Sequence, residues 1–159
     1  MARAEQRLAD LGVELPPVAA PVAAYVPAVL TGSLVFTSGQ LPFVDGVLSV
    51  TGKVGDGAGL VSVVDAAAAA RLCALNALAA VRAEIGSLDR VIRVVKLVGF
   101  VASDPGFTNQ STVINGASQI IGDIFGDAGL HARSAVGMAA LPLDSPVEIE
   151  LVVEIGAAN

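Results

Sequence analysis

The sequence predicts an α+β sandwich, one sheet with two helices packed on a single face. Strand and helix signals fall in the order β-β-(ββ)-α-β-α-β-β along the chain. The stretch from Val91 to Val101 is apolar almost throughout, as in a central strand covered on both faces. The last strand alternates cleanly. Val147, Ile149, Leu151, Val153 and Ile155 share one face, while Glu148, Glu150, Val152 and Glu154 share the other.

A short amphipathic helix is expected over residues 2–11, stopped by Gly12. Pro16, Pro17, Pro21 and Pro27 then force an extended lead, with Tyr25, the only tyrosine, near its end. Residues 29–39 read as a hairpin turning at Thr31, Gly32 and Ser33. Asp45-Gly46 marks a type I′ turn in a second, smaller hairpin. The glycine-rich run 52–59 is a flexible loop and lacks the residue order of a phosphate-binding loop.

Ser62 and Asp65 open a helix that runs to about Ile85 and stops at Gly86, with Leu72, Leu75, Leu78 and Val81 at helical spacing. Residues 90–102 supply the central strand. Ser103, Asp104 and Pro105 read as the cap and first-turn proline of a second helix over 105–124. Its apolar side holds Ile114, Ile120, Ile121, Ile124 and Phe125; Asn115 sits mid-helix, where solvation is the default. Residues 131–140 and 147–155 read as two antiparallel strands joined through Pro142, Asp144, Ser145 and Pro146.

With 159 residues the chain is expected to form one domain, 1–159, with a helix and Pro/Ala-rich lead in residues 1–20. Hydrophobic residues make up 54% and mean hydropathy is +0.73, so either a membrane span or an oligomer must absorb apolar surface. The richest run, residues 66–80, is mostly alanine and contains Arg71 and Asn76, which argues against a span of about 20 apolar residues. An oligomer is therefore expected. A net charge of −6, with nine scattered lysines and arginines, excludes a basic groove for nucleic acid. The start lacks an apolar signal region, and the lone Cys73 reads as a small core residue; both point to a reducing cytoplasm. His131 is the only histidine, so no metal centre is expected.

The functional candidate is Arg133. It shares a strand face with Ala135, Gly137 and Ala139: a cationic fork at one end of a floor of small residues, as a carboxylate pocket requires. The plainer alternatives are a solvated arginine and, for the three glutamates of the last strand, simply the wet side of a sheet.

Tyr25 after the proline-rich lead, the run Thr37-Ser38-Gly39-Gln40, Asn115 in the second helix, and Ala132-Arg133-Ser134 leading through Leu141-Pro142 to Val147-Glu148-Ile149-Glu150 together resemble the RidA/YjgF family. The family comprises enamine and imine deaminases, also labelled L-PSP endoribonucleases, and the likeness spans about residues 20–156. It implies a chorismate-mutase-like fold, a homotrimer with clefts between subunits, and a small carboxylate-bearing substrate with no cofactor. It further implies that Arg133 holds the carboxylate and Glu148 helps position water, with Tyr25, Ser38, Gly39 and Asn115 in the pocket. Backbone groups at Ala135 and Gly39 are candidates for binding water or the nitrogen.

If the terminal strands paired with each other, Glu148 would lie opposite about Ala139, on the order of 20 Å from Arg133, so a shared site would need two chains. Two departures from the family pattern stand out. Ala135 replaces a frequent cysteine, and Val136-Gly137-Met138 replaces Val-Glu-Val, which suggests a roomier floor. The alternative to deamination is a non-catalytic trimer that binds a small carboxylate; ribonuclease action is disfavoured by the acidic chain.

Overall fold

The computed structural model describes residues 3–18 and 24–156. Helix α1, Ala4–Asp10, ends as expected at Gly12, whose φ of 63° is the left-handed stop. It is pinned outside the helical layer: Leu88 N–H donates to Glu5 Oε1 at 3.0 Å, Glu5 N–H donates to Asp89 Oδ1 at 3.0 Å, and Arg82 pairs with Glu5 at 3.2 Å. Residues 13–18 and 24–27 are neither helix nor strand, and the remainder of the proline-rich lead lies outside the described residues.

Strands β1, Ala28–Thr31, and β2, Leu34–Thr37, form the first hairpin. Strands β3, Phe43–Val44, and β4, Val47–Leu48, form the second, with Asp45 and Gly46 both at positive φ as a type I′ turn demands. Asn76 Nδ2 ties this hairpin to the next helix by donating to Leu41 O at 2.9 Å and Phe43 O at 3.2 Å. That helix, α2, spans Val63–Ile85; Ser62 Oγ accepts from Asp65 N–H at its start, and Gly86 ends it. Against the sequence reading, α2 is long and apolar enough to cross a membrane. Here, however, Ala66, Ala70, Cys73, Ala77, Leu78 and Val81 are buried in the core.

Strand β5 spans Val91–Ala102 and strand β7 Val147–Ile155. Between them in sequence come helix α3, Gln110–Phe125, and strand β6, Ala132–Met138. The main sheet has the order β1-β2-β7-β5-β6. Helices α2 and α3 both cover the face that carries Leu97, Gly99, Ile149 and Leu151, so the α+β class and the one-sided helical layer are present, with α1 as a third helix.

Two expectations need correction. The terminal strands do not pair: β5 lies between them, antiparallel to β7 and parallel to β6. The physical reason is the crossover. Helix α3 carries the chain back to the starting end of β5, so the strand that follows must run parallel to it. The end of β5 then bonds both neighbours, Ala102 N–H donating to Pro146 O at 2.9 Å and Ser103 N–H to Met138 O at 3.0 Å. Second, α3 begins five residues later than Pro105, because Phe107 N–H donates back to Asp104 O at 2.9 Å and closes a turn first. Asn109 takes the cap position, its Oδ1 accepting from Thr112 Oγ1 at 2.6 Å. Helices cover one face of β5, in keeping with the one-sided helical layer; its other face carries half-buried Lys96, Val98 and Phe100.

The close approach of α2 and α3 depends on Gly116, where an added Cβ would collide with the backbone oxygen of Ala67. Helix propensity alone would favour alanine there by about 1 kcal/mol. The obstacle is backbone rather than a flexible side chain, so overpacking decides the sign. Gly116→Ala should destabilise the chain by about 1–3 kcal/mol, read as a lower urea midpoint with an unchanged slope.

Candidate functional site

The residues singled out in the sequence fall into two groups. The first lies between β6 and α3. Arg133 is level with Leu97 in the parallel ladder and therefore points to the helical side of the sheet. Its Nη1 donates to Asn115 Oδ1 at 2.8 Å and to Ser118 Oγ at 3.2 Å, so the guanidinium is half-buried and held, not waving in solvent. Asn115 remains exposed, as its mid-helix position suggested, but it also grips the arginine.

Ser118 and His131 were not legible as part of this group. Ser118 Oγ meets His131 Nε2 at 3.0 Å, and His131 Nδ1 meets Gly129 O at 2.6 Å. A signal existed: Asn115 and Ser118 are one helical turn apart and so share a face. Ala135 lies next along the floor and packs on the core. The roomier floor expected at Gly137 is not found, because the amide of Gln110 and the hydroxyl of Ser103 stand where a side chain would go. Gln110 Nε2 is fixed there by donating to Phe107 O at 2.8 Å and to Ser103 Oγ at 3.2 Å.

The second group lies where β2 runs into β7. Phe36 is level with Val152, yet Gln40 is level with Ile149, so one extra residue is accommodated in the β2 side between them. This is a bulge at Ser38-Gly39, and it presses the backbone of Gly39 against Glu148. Gln40 restores the ladder, its N–H donating to Ile149 O at 2.8 Å and its O accepting from Ile149 N–H at 3.0 Å. Ser38 Oγ donates to Val26 O at 2.6 Å, which brings the exposed Tyr25 to the same end of the sheet.

Glu148 is level with Phe100 on the open face. Burial holds its carboxyl above the usual carboxylate range, and the charge of Glu150 on the same face pushes it further. Behind it, the Cys73 thiol is fully buried, contacts Val147 O at 3.6 Å, and is likewise raised by burial and then by the Glu148 charge. This fits the core role read for that cysteine.

The two groups do not meet within one chain. Arg133 and Glu148 face opposite sides of the sheet with β5 between them, their backbones on the order of 14 Å apart. The concavities found in the chain are elsewhere. One of about 530 Å³ lies beneath α1 and is lined by Glu5, Leu8 and Arg82 among others; another of about 420 Å³ lies along β1 beside Val26, Leu30 and Ala80. Neither is lined by a candidate residue. Among the described residues no three His, Cys, Asp or Glu side chains come together as a metal site.

Comparison with known proteins supplies the lineage. Residues 5–155 match the profile described as "YjgF/chorismate mutase-like, putative endoribonuclease". Protein TCP17 of Trypanosoma cruzi is 46% identical over 154 residues, 96% of this chain and 94% of that protein. The crystal structure of Atu1372 from Agrobacterium tumefaciens, a protein described as of unknown function, is 48% identical, with a TM-score of 0.87 over 96% of this chain and 92% of that one. E. coli TdcF, solved with bound serine, is 28% identical, with a TM-score of 0.64 over 89% of this chain and 94% of its own.

Two variants probe the second group. A group whose folded-state value is raised is most favourable to folding below its unfolded value, and that advantage is lost as pH rises through the raised one. Glu148→Gln should therefore be more heat-stable than the parent at neutral pH, and the gap should narrow as pH falls through the raised value and be gone below about 4.3. Thermal melts across that range check it. Gly39→Ala should leave stability nearly intact, because the atoms nearest its Cβ belong to the flexible Glu148 side chain and not to backbone, but should displace that carboxylate. A crystal structure of the variant with Glu148 in its original rotamer would contradict this.

Proposed function

Because the chain belongs to the YjgF/Rid family, we propose that it is a hydrolytic deaminase of small 2-imino acids and their enamine tautomers, working as a homotrimer. The observation that carries this reading is the state of Arg133. Its Nη1 is engaged by two neutral acceptors, and neither Nε nor Nη2 meets a partner among the described residues. That leaves a full positive charge and two parallel N–H groups, the complement of a carboxylate. The serine held by TdcF is itself a small carboxylate-bearing ligand.

In this reading the carboxylate of the substrate pairs with Arg133, which fixes the neighbouring C=N carbon for attack. An enamine such as 2-aminoacrylate first gains a proton at its terminal carbon and loses one from nitrogen to become the imine. Glu148 accepts a proton from water as the oxygen adds to the C=N carbon and the nitrogen is protonated. Glu148 returns its proton to the amino nitrogen of the resulting carbinolamine, ammonia leaves, and loss of the hydroxyl proton gives a 2-keto acid. A carboxyl raised above its ordinary range suits both halves of that exchange, as base and then as acid. The Gly39 backbone borders Glu148, with Ser38 next to it in the chain and Tyr25 at the same end.

The two groups lie on opposite faces of one chain, so the complete site is assembled from two copies, the β6 edge of one over the open face of the next. Val29, Phe36, Val136 and Met138 are exposed on that open face and give the contact apolar surface to bury. No cofactor is needed, since imines hydrolyse in water and positioning supplies the acceleration.

Ammonia release from enzymatically generated 2-iminobutyrate tests the proposal. Arg133→Ala should lower kcat/KM by about 100-fold or more, on the scale expected for losing a buried charge pair. Equal turnover in parent and variant would remove the catalytic reading. Carboxylate-dependent thermal stabilisation without turnover would instead identify a binding protein.

A further inference from the structure

We infer that Ser118 and His131 are positioning residues that aim the Arg133 guanidinium and so decide which of its edges receives the substrate carboxylate. The inference rests on the carboxylate-binding reading of Arg133 and extends it to two residues outside the set read from the sequence.

The direction of each bond can be worked out. Gly129 O can only accept, so His131 Nδ1 carries the hydrogen of that 2.6 Å bond. With the ring neutral, Nε2 presents a lone pair, and Ser118 Oγ, 3.0 Å away, donates its single hydrogen to it. With its hydrogen committed, the Ser118 oxygen turns a lone pair toward Arg133 Nη1 at 3.2 Å. Asn115 Oδ1 takes the other Nη1 hydrogen at 2.8 Å. A backbone carbonyl therefore fixes the ring, the ring fixes the hydroxyl, and the hydroxyl fixes the arginine.

Nη1 is the guanidinium nitrogen on the side of Cδ. Anchoring both of its hydrogens leaves the opposite edge, Nε–H with Nη2, as the pair of parallel donors. A carboxylate is thus received side-on, in one orientation, by a group whose side-chain freedom is already restricted before binding. Without His131 the Ser118 hydroxyl is free to rotate its hydrogen toward the cation, and the second anchor is lost. Without Ser118 the guanidinium pivots about Asn115 and offers either edge.

Kinetics on the full chain with 2-iminobutyrate, alongside calorimetric titration with 2-oxobutyrate as a product carboxylate, test this. Ser118→Ala and His131→Phe should raise KM and the 2-oxobutyrate Kd by about 10-fold while kcat changes by less than about 3-fold, because ground-state carboxylate binding is what loosens. Ser118→Thr, which keeps the hydroxyl, should restore both constants. Ser118→Ala removes one half-buried oxygen and leaves the helix backbone unchanged, and a merely structural role would not be rescued by threonine in KM alone. If Ser118→Ala and His131→Phe match the parent while Arg133→Ala loses binding, the positioning role is overturned and the deaminase reading stands. If Arg133→Ala itself binds 2-oxobutyrate and turns over like the parent, both readings fall. A parent chain that neither turns over nor binds the keto acid also overturns both.

Discussion

The placement of β5 between β6 and β7 is the constraint on which the rest of this molecule depends. With β6 on one side and β7 on the other, it separates Arg133 from Glu148, which face opposite sides of the sheet. Separated by that strand, the guanidinium and the carboxylate do not neutralise one another inside the protomer. Instead Glu148 has only another glutamate for electrostatic company, and its carboxyl is raised rather than lowered.

The same separation shapes the arginine. Its partners are an amide oxygen and a hydroxyl, which orient a cation without cancelling its charge. A carboxylate in their place would stabilise Arg133 more strongly and leave less attraction for a ligand anion. Helix α3 supplies both neutral acceptors from adjacent turns, and Gly99 allows Ile114 of that helix to rest directly on β5. The packing that brings α3 down onto the sheet is therefore also what delivers Asn115 and Ser118 to Arg133.

Much of this was legible from local rules. The alternation of β7 assigned its buried and half-exposed faces correctly, because one face of a sheet under helices leaves no other register. Ser62, Gly86 and Asp45-Gly46 announced their cap, stop and turn through backbone chemistry that neighbours do not override. Pairing was harder. The order Pro142 to Pro146 looks like a hairpin connection, but which strand lies beside which is set by the crossover through α3, a contact that local spacing does not encode. Pro105 misled for a related reason: a proline suits a first helical turn, yet here the turn closes separately and Asn109 begins the helix. The apparent vacancy at Gly137 failed because Gln110, distant in sequence, reaches over it. Of the candidate site, Arg133 with Asn115 and Glu148 with Gly39 were each identifiable as members, while the hydroxyl and imidazole behind the arginine were not.

The chain owns a single sulfur nucleophile, Cys73, and it is sealed beneath the strand that bears Glu148, with its proton held on by burial. At Ala135 the floor beside Arg133 presents only a methyl group. Carbon electrophiles add to reachable thiolates, and neither Arg133 nor Glu148 has one beside it. A thiol-directed reagent added to the folded chain therefore meets no sulfhydryl beside either group of candidate residues.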